Sequence, residues 1–126
     1  MIDHVVLSVR DLARSVAFYE KALAPLGHTN LISYDGGEGH ASLSGFGDED
    51  ESYLLLERGE PAPGRVHIAF VAKSKRAVDT FYKAAISAGA RDNGPPGPRA
   101  HYFAGYYAAY VLDPDGYNVE AVFQKR

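Results

Sequence analysis

Four residues able to bind a metal recur along this chain at one spacing. His4 and His67 lie 63 residues apart, as do Glu57 and Glu120, and 63 is half of the 126-residue sequence. Two neutral imidazoles with one or two carboxylates can hold a first-row divalent ion and leave positions open for substrate or water. Zn, Ni, Mn, Co and Fe all suit that donor set. Such an ion polarises a carbonyl or stabilises an enediolate oxygen, and a loosely held carboxylate beside it moves a proton on carbon. Any one of these residues alone reads as a solvated Glu or a half-exposed His. Their repetition in pairs favours the metal.

The elements that must position them repeat as well. Phe18-Tyr19 is matched by Phe81-Tyr82 and Ala22 by Ala85 at the same offset. Only 8 of 63 positions are identical, so the duplication rests on which positions match. Residues 2–9 read as a β-branched strand. Asp11 then caps a helix with Leu12, Val16, Tyr19, Leu23 and Leu26 at helical spacing, ended by Gly27. Strands are expected over 30–34, 40–46 and 52–58. After the linker-like Glu60-Pro-Ala-Pro-Gly64 the order restarts, with a strand over 65–72 and a helix capped by Ser74. Asn93-Gly-Pro-Pro-Gly-Pro98 reads as an irregular loop, and 101–103 as a short strand. A further strand over 106–112 leads into the turn Asp113-Pro-Asp-Gly116. The last strand covers 117–123. Each half is βαβββ, an α+β architecture in one domain (1–126) of two modules, about 1–60 and 65–126.

Residues two apart in a strand share a face. Val5, Leu7 and Val9 oppose His4; Ile68, Phe70 and Ala72 oppose His67; Leu54 and Leu56 flank Glu57; Val119 and Ala121 flank Glu120. All four polar residues therefore lie opposite an apolar face suited to packing on the two helices. Their own face carries Val6, Ser8, Leu55, Ala69, Val71 and Asn118, a partly apolar lining fit for a small molecule. Tyr106, Tyr107, His101 and Tyr102 are secondary substrate-binding candidates, set against the reading that one Tyr of each neighbouring pair packs inward. His40 starts a strand and could reach the same face, but no pattern singles it out. His28 reads as a surface residue, Arg99 as a solvated loop cation, and residues 48–51 as an acidic turn without a calcium-loop pattern.

A formal net charge of −3 with scattered Lys and Arg gives no nucleic-acid footprint. Cysteine is absent, which removes disulfides, thiolate sites and Cys nucleophiles. No apolar run approaches a membrane span, and no basic segment followed by an apolar one opens the chain. A cytoplasmic protein with a small-molecule substrate is expected.

The stretches Ile2-Asp-His4-Val-Val-Leu, Asp11-Leu-Ala-Arg-Ser-Val-Ala-Phe18-Tyr19, Val66-His67-Ile-Ala-Phe and Asp113-Pro-Asp-Gly116-Tyr-Asn-Val-Glu120 span nearly the whole chain. Together they resemble the vicinal oxygen chelate superfamily, also called the glyoxalase/bleomycin resistance protein/dioxygenase family. The resemblance implies paired βαβββ modules forming a cupped mixed sheet around a metal, with helices on the outer face. It also implies a homodimer. His4, Glu57, His67 and Glu120 match the ligand positions of glyoxalase I-like members, which implies proton transfer on carbon of lyase or isomerase type, with Glu57 or Glu120 carrying the proton. Ser8 stands where glyoxalase I has an Arg for glutathione, and Arg58-Gly-Glu-Pro61 where it has an Asn, so a glutathione adduct is not the implied substrate. Two alternatives stay open. An iron-dependent extradiol dioxygenase would use His4, His67 and Glu120 as ligands and leave Glu57 free. A metal-free protein of the bleomycin resistance type would sequester a drug.

Overall fold

The computed structural model describes residues 2–36, 42–49 and 51–125, the side chain of Ser52 excepted. Its elements follow the duplication. In the first half they are β1 (Val5–Val9), α1 (Leu12–Leu23), β2 (Thr29–Tyr34), β3 (Leu43–Asp48) and β4 (Glu51–Arg58). In the second they are β5 (His67–Val71), α2 (Lys75–Ser87), β6 (Arg91–Pro98), β7 (Tyr106–Leu112) and β8 (Asn118–Gln124). Each half forms its own four-stranded mixed sheet, ordered β1-β4-β3-β2 and β5-β8-β7-β6. The parallel pair in each is the crossover pair, β1 with β4 and β5 with β8.

Local chemistry sets the helix ends. Asp11 accepts a hydrogen bond from the Arg14 N–H at 3.1 Å, and Ser74 accepts one from the Ala77 N–H at 3.0 Å. Both satisfy a donor that the first turn leaves unpaired. A 3₁₀ turn, Ala24–Leu26, follows α1 and ends at Gly27, whose φ of +88° suits glycine.

Two expectations fail around the Pro-rich stretch. Residues 93–98 belong to strand β6 rather than to an irregular loop. The strand lies at the edge of its sheet and pairs only with β7, with register shifts between Asp92 and Gly94 and again between Gly94 and Gly97. An edge with bulges tolerates the missing proline N–H groups. The Arg99 guanidinium then donates to the carbonyls of Pro95 at 2.7 Å and Gly97 at 2.9 Å. Residues 101–103 form a turn rather than a strand. Tyr102 N–H donates to the Arg99 carbonyl there, at 2.9 Å.

The buried side chains of both halves make one apolar cluster, centred on Phe18, Tyr19, Leu23, Leu56, Phe81 and Val111. The Asp113–Gly116 turn ties the halves together. Asp113 is buried and accepts the Tyr19 hydroxyl of α1, as well as the backbone N–H groups of Asp115 and Tyr117, both at 2.9 Å. Burial pushes its carboxyl pKa up, and those three donors pull it back. Asp115 accepts the Arg10 N–H at 3.2 Å and the Ser15 hydroxyl at 3.3 Å. The Tyr117 hydroxyl donates to the Ser8 carbonyl at 2.6 Å and accepts the Ala62 N–H at 2.9 Å.

Replacing Tyr117 with Phe strands both of those backbone groups at the joint between halves. Urea denaturation should show a loss of about 1–3 kcal/mol with an unchanged denaturant slope.

Candidate active site

Strand β8 delivers the one acidic side chain of the described residues that is both buried and on the pocket face. Glu120 is 1% exposed. One of its oxygens lies 2.8 Å from the His67 Nε2, and the other accepts the Tyr106 hydroxyl. The geometry follows from register. Ala69 of β5 pairs with Glu120, so His67 sits two residues back on the same face and reaches diagonally across. Tyr110 of β7 pairs directly with Glu120, and its ring lies 6.0 Å from that of His67. Tyr106 stands four residues along β7 from Tyr110 and reaches back.

The electrostatics agree with the geometry. Burial first, then the hydrogen bond to Glu120 and its charge, raises the Tyr106 phenol pKa well above the ordinary tyrosine value. Burial also raises that of Tyr110, with the Glu120 charge next. Both phenols stay protonated and serve as donors to oxygen near Glu120. Both Glu120 oxygens are thus held, one beside the half-exposed His67 and the other by Tyr106, and the carboxylate itself is buried.

The first half places its pair differently. Glu57, half-buried, stands opposite Ser8 on β1, four residues beyond His4. Four residues of strand correspond to roughly 13 Å. His4 precedes β1, is half-exposed, and its Nδ1 lies 2.7 Å from the Asp3 carboxylate. The register explains the difference. Val5 pairs with Leu54 and its repeat mate Ile68 pairs with Val119, so the last strands are related by 65 residues, not 63. The residue that pairs as Glu120 does is Leu55, opposite Val6, and Glu57 takes the place of Val122. Among the described residues, no three His, Asp or Glu side chains converge tightly enough for one ion. His67 and Glu120 come together, and His4 and Glu57 do not join them within the described arrangement.

A family model described as the Glyoxalase/Bleomycin resistance protein/Dioxygenase superfamily matches residues 1–121. The chain belongs to this superfamily. A solved glyoxalase/bleomycin resistance protein from Albidiferax ferrireducens is 26% identical, with 98% of each chain covered and a TM-score of 0.77. A variant of glyoxalase I from Zea mays is 27% identical over 96% of this chain and 46% of its own, with a TM-score of 0.75. The fold is also that of FosX from Listeria monocytogenes, solved with manganese(II) and a dihydroxypropylphosphonic acid. That pair shares 20% identity over 96% of this chain and 87% of the other, at a TM-score of 0.70. A search of curated proteins found no significant match.

The remaining candidates sort by strand alternation within this superfamily fold. Tyr106 faces Glu120, whereas Tyr107 points to the helix side, where its hydroxyl donates to Asp79 of α2 at 2.7 Å and Lys75 lies 5.5 Å from its ring. His101 and Tyr102 occupy the exposed turn, with their rings 4.2 Å apart and Tyr102 5.1 Å from Tyr106. With Asn93, Arg99, Tyr110 and Asn118 they line a cavity of about 270 Å³ beside the His67–Glu120 pair. Sequence reading overlooked Tyr110, although its parity with Tyr106 was available from alternation; its place opposite Glu120 comes from the β7–β8 register. Arg99 is not a solvated loop cation, since backbone carbonyls hold its guanidinium. His40 lies outside the described residues.

His28 is half-buried, not a surface residue. Its ring sits 6.2 Å from that of Tyr53 and 5.7 Å from that of Phe70, with Nδ1 buried and unpartnered. Burial lowers its pKa, Lys73 lowers it further, and Asp48 opposes both.

Two titrations test these placements. In Glu120→Gln, ultraviolet absorbance should show the Tyr106 phenol ionising at lower pH than in the parent, because the carboxylate charge is gone. His28 favours the neutral form in the fold, so its contribution to stability is present above its unfolded pKa of about 6.5. That contribution is lost as pH falls from there through the depressed folded value. Chemical denaturation of the parent and His28→Gln at about pH 8 and about pH 5 should show the smaller acid loss in the variant.

Proposed function

We propose that this protein is a glyoxalase-like enzyme of lyase or isomerase type that moves a proton on carbon within a small oxygenated substrate. The observation that carries the reading is the buried Glu120 carboxylate, bracketed by an imidazole and a protonated phenol on the open face of the second sheet. Glu120 accepts the proton from the hydroxyl-bearing carbon next to the substrate carbonyl and returns it to the carbonyl carbon, while the hydroxyl proton passes to the former carbonyl oxygen, so that carbonyl and hydroxyl exchange places. The Tyr106 hydroxyl, held protonated, steadies the carboxylate between the two transfers. Tyr110 and Asn118 donate to substrate oxygens from the same face.

His67 and Glu120 have the donor chemistry of a divalent transition-metal site, and His4 is proposed as the third ligand. Glu57, two residues further along its strand than the repeat predicts, is left for substrate contact or a fourth ligand. When bound, the ion supplies Lewis-acid stabilisation of an enediolate-like oxygen. In this reading the protein acts as a homodimer, as the family resemblance implies.

A second reading rests on Leu55. An apolar residue at the register position of Glu120 removes one carboxylate from the duplicated site, as suits a metal-free protein that binds and sequesters a drug.

Elemental analysis after dialysis against each candidate ion decides between them. The enzyme reading expects about one ion per chain, lost in His67→Ala and in Glu120→Ala. Proton NMR in heavy water with a panel of 2-hydroxy ketones should then show exchange at the carbon next to the carbonyl, reduced roughly 100-fold or more in Glu120→Gln. Bound iron with oxygen uptake on catechol would replace the isomerase by a dioxygenase. Failure to bind any ion, with no exchange on any substrate, would leave the binding protein.

A further inference from the structure

A second cavity, of about 630 Å³, opens at the seam where the two sheets meet, walled by the edge strands β1 and β5. None of His67, Glu120 or Tyr106 lines it. Its floor is apolar, built from Leu26, Leu54 and Ile68. Three aromatic rings, His28, Tyr53 and Phe70, stand around it, with His28 packed between the other two. Among the described residues the rim carries the carboxylates of Asp3, Asp48 and Glu49 and the ammonium of Lys73.

The two halves differ in sequence at the matching register position. At the other end of the seam Tyr117 is buried, and its phenol caps the Ser8 carbonyl of β1. Tyr117 lies two residues before Val119, which pairs with Ile68; the first-half position two residues before Leu54, which pairs with Val5, is Ser52. A serine thus holds the register place of the tyrosine. Val71, the repeat mate of Ser8, borders the cavity instead of being capped by a phenol. The fold closes one end of its seam with an aromatic ring bearing a polar group, and leaves the other end open.

We propose that this seam cavity binds a small aromatic cation of the arylalkylamine class, its ring among His28, Tyr53 and Phe70 and its ammonium at the acidic rim. Ring–ring contact and apolar burial hold the ligand. Charge sets its sign: among the described rim residues, the carboxylates of Asp3, Asp48 and Glu49 outweigh Lys73 and reject an anion of the same shape. Tyr53 already donates to Asp48 at 2.6 Å and His4 engages Asp3, yet an ionised carboxylate keeps acceptor capacity for an ammonium. The site stands independently of the His67–Glu120 reading.

The test is an amide NMR titration of the full chain with phenethylamine and, separately, with hydrocinnamate, which carries the same ring with the opposite charge. Saturable shifts at Gly27, His28, Phe70 and Lys73 are expected with phenethylamine, and binding roughly tenfold weaker with hydrocinnamate. Val5→Phe fills the cavity and should abolish the shifts. Asp48→Asn, at an exposed position that leaves the core untouched, should weaken phenethylamine roughly threefold and narrow the gap between the two probes. His67→Ala should leave binding unchanged. Equal affinity for the two probes, absence of saturation, or shifts confined to the Glu120 face would overturn the proposal.

Discussion

The arrangement of this molecule depends on a buried carboxylate. Asp113 sits at the joint between halves, where water cannot solvate its charge, and three donors aimed at it replace that solvation. One donor is the Tyr19 hydroxyl from the first helix, and two are backbone N–H groups of its own turn. The turn is thereby shaped and docked at once. Asp115 then catches Arg10 and Ser15, and Tyr117 reaches across to Ser8 and Ala62. These contacts run from the second half to the first, and they orient β8, which begins immediately after the turn. The carboxylate of Glu120 is placed by the same turn that ties the halves together.

Glu120 itself shows how a duplicated fold becomes asymmetric. A parallel strand pair carries its side chains in register, and a slip of two residues preserves which face each one occupies. The core of the first half is therefore undisturbed, with Leu54 and Leu56 packed as Val119 and Ala121 are. The pocket face registers the slip by exchanging a carboxylate for Leu55. Parity protects packing and leaves chemistry free to diverge. The second half kept a buried acid with two donors, and around it gathered Tyr106, Tyr110 and the turn carrying His101 and Tyr102.

The same divergence acts at the seam. Apolar and aromatic side chains from both halves surround an open space at one end of it, edged by the acidic turn between β3 and β4. His28 is drawn into this setting by its neighbours. Its ring follows a helix-ending glycine, a place that reads as solvent-facing in the chain, yet Tyr53 and Phe70 arrive from distant segments to enclose it.

Much of this was legible in the chain. Alternation in β1, β4, β5 and β8 separated the core residues from the pocket residues, because a strand's period of two is a local property. Caps at Asp11 and Ser74, the break at Gly27 and the turn at Asp113 followed from side-chain chemistry within a few residues of each end. The four recurring His and Glu residues, the superfamily and the paired βαβββ order were likewise written there. Register was not, since the pairing of β1 with β4 is decided by contacts across about fifty residues, and a 63-residue sequence repeat cannot reveal a 65-residue structural one. Nor could the chain alone show that Arg99 secures a proline-rich edge strand, that Tyr107 turns to the helix, or that His28 is enclosed. Local chemistry determined which elements form and which face each side chain takes. The tertiary structure decided which faces meet, because burial and hydrogen-bond satisfaction are settled between segments far apart in the chain.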